Sequence, residues 1–275
     1  MSAGPSSRSF LPSSGGSVHR TGVGLSATAR MLFLFTFAAC LLALQARAAN
    51  PDALWQIVHG ACAPNMAARH TPAPCEAVDL ADGYAILKDI HGATQLLLIP
   101  TDRITGIEAP QLLAPGARNY WQDAWSARQL FERRAGPTPR DDLGLAINSQ
   151  YGRSQNQLHI HIDCVRPDVR QTLAAQERVI GQTWSRLNVD LAGHRYRVRR
   201  VDGADLGPIN PFHLLGQDPQ EQADMGRETL VVIGATFAGG RPGFILLSDR
   251  ADPLLGEIGH GEDLLDPTCK VLTPH

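Results

Sequence analysis

Residues 157–164 alternate without a break between polar and apolar side chains: Gln157, Leu158, His159, Ile160, His161, Ile162, Asp163, Cys164. On an extended strand successive side chains point to opposite faces. Leu158, Ile160, Ile162 and Cys164 therefore share a packed face, and Gln157, His159, His161 and Asp163 share the other, the pattern of a half-buried strand. Residues 148–156, just before it, are polar, hold Gly152 and read as a tight loop. A sheet has to form around such a strand. Two imidazoles on a rigid support, entered from a loop rich in hydrogen-bond donors, suit an anionic substrate.

The chain has 275 residues, a hydrophobic fraction of 43% and a net charge of -2. The apolar content is enough for a core, and the charge argues against a general nucleic-acid binder, which relies on a strong basic excess. Any anion site must be local. Residues 1–30 are Ser/Gly-rich, lack acids and carry Arg8, Arg20 and Arg30, and an apolar run at 31–44 follows. A basic leader, a short apolar run and small residues at 46–49 describe a secretory signal. The run is shorter than the ~20 residues that cross a bilayer comfortably. The readings are a cleaved signal, an uncleaved anchor, or a cytosolic protein starting at Met31. Residues 1–49 are thus a leader and residues 50–275 the folded domain.

Beyond the leader stand Cys62, Cys75, Cys164 and Cys269. An even count in an exported chain suggests two disulfides, with three connectivities to choose among. Cys62 and Cys75 bracket a short Pro-rich segment and close a small loop easily. That pairs Cys164 with Cys269, at the C-terminal tail. No CxxC or His-rich partner supports metal binding by these cysteines.

Residues 51–60 read as a short helix, and 62–74, with three prolines, as irregular. Residues 83–89 and 95–99 form a hairpin around His91-Gly92. Residues 119–135 read as one amphipathic helix on Tyr120, Ala124, Ala127 and Phe131, stopped by Gly136-Pro137. Residues 143–148 and 157–165 are further strands. A helix opens at Pro167-Asp168, capped by Asp168, and Val169, Leu173, Ile180, Trp184 and Leu187 keep its period. Residues 196–201 form a basic strand, with Arg195, Arg197 and Arg199 facing one way. That face is either a solvated edge or a grip on anionic headgroups or a second phosphate. Residues 229–235 and 244–248 make a last hairpin that echoes the first, so an internal duplication is one reading.

Three accounts of His159 and His161 stand side by side. They are satisfied polar groups, or two ligands of an ion that also needs Asp163, His194 or His213, or the centre of covalent catalysis. A neutral imidazole is a good nucleophile towards phosphorus. Ser154 and the amides around Gly152 could hold phosphate oxygens through a backbone nest, and no acidic cluster stands beside them to hold magnesium.

The order Asp89-Ile90, Leu97-Leu98-Ile99-Pro100, Arg103-Ile104, Asn148, Ser154 and Leu158-His159-Ile160-His161-Ile162 resembles the histidine-triad superfamily of nucleotide hydrolases and transferases. Within it, the run from Asn148 through Gly152, Ser154, His159, His161 and Cys164 to Arg166-Pro167-Asp168-Val169-Arg170 resembles the bacterial CDP-diacylglycerol pyrophosphatase family. That resemblance implies an α+β fold, a histidine-triad-like antiparallel sheet with flanking helices, as a pseudo-dimeric unit if the duplication is real. It implies hydrolysis of CDP-diacylglycerol to CMP and phosphatidate, with His159 as nucleophile and His161 on the phosphate and leaving oxygen. Asn148 and Ser154 match positions that bind phosphate or orient the site, and Asp89 a position that contacts ribose. Gln157 replaces the first triad histidine, where it can still donate and accept hydrogen bonds. The expectation includes no metal or cofactor, no nucleic-acid partner, and a monomer at the periplasmic face of a bacterial inner membrane. An exported nucleotide- or lipid-binding protein without turnover, and a metal-dependent nucleotide hydrolase, are the alternatives.

Overall fold

The computed structural model describes residues 50–272; the leader and its 31–44 run lie outside the described residues. Among those described, no helix is long and apolar enough to cross a membrane. The chain begins with helix α1 (Ala53–Ile57), a π-turn (Val58–Cys62) and helix α2 (Ala63–Arg69). Helix α2 overturns the expectation of irregular chain at 62–74. Pro64 falls in its first turn, where a missing N–H leaves no helical bond unmade.

Strands β1 (Ala77–Asp79), β2 (Tyr84–Lys88) and β3 (Leu96–Pro100) follow, then helices α3 (Tyr120–Ser126) and α4 (Arg128–Ala135). The single helix expected at 119–135 is thus two. It breaks at Ala127, and the Arg128 guanidinium donates to the carbonyl of Trp125 left over at the first helix's end. Next come β4 (Leu143–Ile147), β5 (Ile160–Cys164) and helix α5 (Pro167–Gln176). The N-cap of α5 is Arg166, with Pro167 in the first turn, so Asp168 lies inside the helix and pairs with Arg166. The helix ends well before Leu187: a 3-10 turn follows at Glu177–Val179, Ile180 is already extended, and the Gly181 carbonyl accepts from the Arg200 N–H of the neighbouring strand. Ile180 and Leu187 still reach the core, but from extended chain. Strand β6 (Ser185–Arg186), β7 (Arg197–Asp202), short helices α6 (Pro211–Leu215) and α7 (Pro219–Ala223), and the hairpin β8 (Leu230–Phe237) and β9 (Arg241–Ser248) complete the elements.

All nine strands join one sheet in the order β1-β2-β3-β5-β4-β8-β9-β7-β6, and every adjacent pair is antiparallel. The fold is α+β. The flanking helices cover both faces of the sheet. On one face, Trp121, Trp125 and Phe131 of α3 and α4 pack on Leu98, Leu145, Ile160, Ile162, Val232 and Leu246. On the other face there are two separate apolar patches. Val169 and Leu173 of α5 cover Val231, Ile233, Ile245 and Leu247, while Val58 and Cys62 cover Ala85, Leu87, Leu97 and Ile99. Strand β5 runs through the gap. His161 is flanked by Leu97 of one patch and Ala146 of the other.

Gly234 in the middle of β8 marks a close approach. A Cβ there would lie 2.2 Å from the Arg140 carbonyl oxygen and 2.8 Å from a ring carbon of Trp125. Backbone cannot yield as a flexible side chain can, so Gly234→Ala is expected to cost about 1–3 kcal/mol of stability, read as a lowered denaturation midpoint with an unchanged slope. An unaltered midpoint would show that the approach is not tight.

The cysteines pair as Cys62 with Cys75 and Cys164 with Cys269. The basic strand is neither an open edge nor a free cationic face. β7 lies between β9 and β6. Arg197 bridges Glu221 at 2.7 Å and the fully buried Glu228 at 3.4 Å, Arg195 pairs with Asp190, and Arg199 donates to Gln217. Buried carboxylates demand such partners.

Candidate active site

His161 of β5 and His159 just before it face a cavity of about 370 Å³ in the gap between the two apolar patches. Its floor is His159 and His161. Asn148, Gly152, Ser154 and Gln155 come from the loop after β4; Lys88, Asp89 and Ile90 from the β2–β3 turn; Leu54 and Ile57 from α1; His260 and Glu262 from the C-terminal segment. Strand β5 is buried on both faces, not one. The sequence pattern shows the polarity of the second face but not the distant segments that close over it.

The loop at 148–156 is pinned from two sides. Gln155 accepts from the Leu54 N–H and donates to the Asn50 carbonyl, and the Asn156 N–H donates to the Pro51 carbonyl. Opposite, the Ser149 N–H and hydroxyl donate to the carbonyls of Gly259 and Ile258, and His260 Nε2 donates to the Gly152 carbonyl. Gly152 is required there, because a Cβ would meet the Gly259 oxygen at 2.6 Å and the His260 ring at 2.4 Å. The expected anion nest around Gly152 is not open. The amides of Tyr151, Gly152 and Arg153 turn inward onto Ser149, and the Arg153 guanidinium forks onto Glu108.

The two imidazoles lie 5.0 Å apart, nearly edge to face. His159 Nδ1 is 2.7 Å from the backbone carbonyl of Gln157. A carbonyl only accepts, so Nδ1 carries the proton and Nε2 the lone pair. Burial foremost, and the neighbouring His161 second, pull the His159 pKa down to about 4. It is therefore an uncharged ring with a free electron pair at neutral pH. If that pair is used, kcat/KM should stay level through the ordinary imidazole range near 6.5 and fall only as pH drops towards about 4. A pH–rate profile with its acid limb at the ordinary value would contradict this.

His161 Nδ1 lies 2.6 Å from Gln95 Nε2 and 3.4 Å from a Glu262 carboxylate oxygen; its Nε2 is buried without a protein partner. Gln95 Nε2 also donates to Asp89 at 3.0 Å, and the other Asp89 oxygen accepts from the His91 N–H. Asn148 and Glu262 hold each other twice: Asn148 Nδ2 donates to the carboxylate at 2.7 Å, and the Glu262 N–H returns a bond to Asn148 Oδ1. Burial pushes the Glu262 carboxyl up, but His161 and the Asn148 amide outweigh it and keep it below the usual carboxylate range. Asp163, deeper on the same strand face, has its carboxyl pushed up to about 7 by burial.

The sequence-predicted residues His159, His161, Asn148, Ser154 and Asp89 all line this cavity. The Gln157 side chain does not. It is fully buried and donates to the carbonyls of Pro100 and Asp102, tying the end of β3 to the start of β5, and only its backbone carbonyl touches His159. The further ligands considered for a metal are not brought together. His194 pairs with Glu257 away from the cavity, and His213 sits on α6. Among the described residues one group, Asp163, Cys164 and Cys269, gathers three donor atoms, and both sulfurs are held in the disulfide. Gln95, His260 and Glu262 were missed. Gln95 is a lone polar residue at a strand's start, and His260 and Glu262 lie about 100 residues from the histidines. The polar Gly-His-Gly-Glu run at 259–262 was the available signal.

A neutral imidazole with a free Nε2 beside a second whose Nε2 has no partner among the described residues defines a class of site, one equipped for nucleophilic chemistry by a histidine. The chain belongs to the CDP-diacylglycerol pyrophosphatase family, whose sequence profile matches residues 49–273. The CDP-diacylglycerol pyrophosphatase of Yersinia pestis is 42% identical over 247 residues, which is 89% of this chain and 93% of that protein.

Proposed function

We propose that this chain is a phosphoric-anhydride hydrolase that cleaves CDP-diacylglycerol to CMP and phosphatidate through a cytidylyl-histidine at His159. The observation that carries the mechanism is the His159 Nδ1 bond to the Gln157 carbonyl, which leaves an uncharged, buried Nε2 facing the cavity. In the first step the Nε2 lone pair forms a bond to the phosphorus bearing cytidine. The bond from that phosphorus to the bridging oxygen breaks, and phosphatidate leaves with the electron pair. His161 offers its Nε2–H to the departing oxygen; a phosphate monoester is a good enough leaving group to need a hydrogen bond rather than a full proton. In the second step water bonds to phosphorus and the N–P bond breaks. One water proton stays on CMP, the other goes to solvent, and His159 recovers its lone pair.

Asn148 and Ser154 contact the phosphates in this reading, and Asp89 and Ile90 lie at the nucleoside end. Family membership and the named Yersinia relative support the substrate. We read the fold as histidine-triad-like because His161 lies on a central antiparallel strand, with His159 in the extended chain just before its start (the strand begins at Ile160 rather than Gln157), beside a helix-covered hairpin. The pseudo-dimer reading is supported by the hairpins β2–β3 and β8–β9, which flank the central β4–β5 pair on either side. The two disulfides and the 31–44 run support an exported monomer at the periplasmic face of the inner membrane.

The test is to incubate the purified chain with CDP-diacylglycerol labelled in the cytidine and to quench with denaturant. Labelled CMP in solution and label transiently on protein are expected. Binding without CMP release would make the chain a binding protein, and loss of turnover on chelation would favour a metal-dependent hydrolase.

A further inference from the structure

We propose that Gln95 is a positioning residue that fixes the tautomer of His161, so that the two imidazoles of the site are presented in opposite protonation patterns. The inference rests on the reading of His161 as donor to the leaving oxygen, and it assigns what makes it one. Gln95 is buried at the mouth of β3, and its Nε2 stands 3.0 Å from Asp89 Oδ2 and 2.6 Å from His161 Nδ1. A carboxylate is acceptor only, so the Gln95 group facing Asp89 must be the NH₂. The same nitrogen has a second hydrogen, and it points at His161. The Glu262 carboxylate oxygen also faces Nδ1, but at 3.4 Å it lies beyond a normal N–H···O bond, whereas the Gln95 nitrogen is at 2.6 Å. Nδ1 of His161 therefore accepts from Gln95, and a neutral ring that accepts at Nδ1 carries its proton at Nε2.

The orphaned state of that Nε2 is the second observation. It is buried and has no protein partner, an arrangement that costs free energy unless a ligand completes it. His159 has the reverse arrangement, since its Nδ1–H is held by a carbonyl. One ring therefore presents a lone pair and its neighbour an N–H. Asp89, with one oxygen on Gln95 and the other on the His91 N–H, sets the amide's orientation and through it the ring's. The sequence therefore needs a glutamine at 95: a leucine sets no tautomer, and a glutamate, acceptor only, would call for a proton on Nδ1.

The experiment is long-range ¹H–¹⁵N NMR of the histidine-labelled protein, with kcat and KM measured on the same samples. In the unaltered protein His161 is expected as the Nε2–H tautomer, with an unprotonated Nδ1. Gln95→Leu should mix the tautomers and lower kcat roughly 100-fold with KM little changed, the order seen when a group orienting a histidine is lost. Gln95→Glu, nearly the same shape but acceptor only, should switch His161 to the Nδ1–H tautomer and lower kcat with it. Finding the Nδ1–H tautomer of His161 in the unaltered protein overturns the proposal, and needs no variant to fold. So does a Gln95→Leu protein with unchanged tautomer and kcat. The tautomer is read without turnover, so a chain that released no CMP would overturn the function proposed above while leaving this assignment standing or falling on its own spectrum.

Discussion

A His159→Ala variant is expected to lose turnover of CDP-diacylglycerol by about 10⁴-fold or more, the scale on which enzymes fail when the nucleophile itself is removed. Binding should survive. The substitution takes away a ring whose only hydrogen bond among the described residues is to the Gln157 carbonyl, and it leaves Asn148, Ser154, His161 and Glu262 in place around the cavity. Three readouts should move together: CMP release falls, the nucleotidylated protein disappears, and the affinity for a non-hydrolysable analogue changes little. A variant that kept its rate would remove covalent catalysis by this ring. A variant that lost affinity and rate in parallel would make His159 a binding group instead.

The second large effect is on stability. Cys164–Cys269 closes a loop of 105 residues and Cys62–Cys75 one of 13. Cross-links act mainly by restricting the unfolded chain, and the restriction grows with the logarithm of loop length. Replacing Cys269 by Ser is expected to cost about 4–5 kcal/mol, some 2 kcal/mol more than replacing Cys75. Against a total of about 5–15 kcal/mol this is a large share. Activity at low temperature should nonetheless persist. The tail is also held by the Val165–Leu265 bridge, the Arg166 N–H on the Leu264 carbonyl and the Asp266 N–H on the Cys164 carbonyl. Chemical denaturation of the two variants measures the difference. Equal losses would show that the long loop is already compact when unfolded.

Local pattern made the histidine-bearing strand legible. The strict alternation at 157–164 placed His159 and His161 on one face before any fold was known, and the cysteine spacing gave both disulfides. Period failed where pairing across the fold overrode it: Ile180, Trp184 and Leu187 keep helical spacing, yet the helix stops at Gln176, the Gly181 carbonyl takes a hydrogen bond from Arg200, and Ile180 and Leu187 reach the core from extended chain. Prolines misled in the other direction at 62–74, because Pro64 sits where a helix tolerates it. The donors and acceptors around His161 were beyond reach for a different reason. Gln95 and Glu262 meet His161 only through contacts made across the fold; Gln95 carries no local mark of that role, and Glu262 only its place in the polar run at 259–262. Gln157 shows the same limit: its identity was readable as a departure from the triad, but its side chain is occupied with Pro100 and Asp102.

The segments that meet at the cavity enter the chain in a fixed order, from residue 54 on the first helix to residue 262 near the far end. A nascent chain can lay down the hairpin and the histidine strand long before Glu262 leaves the ribosome, and until then Asn148 lacks the partner that holds it. The competent cavity is therefore the last part of the molecule to be completed. A fragment that includes residue 161 but stops before residue 262 would carry both histidines yet should leave lipid untouched.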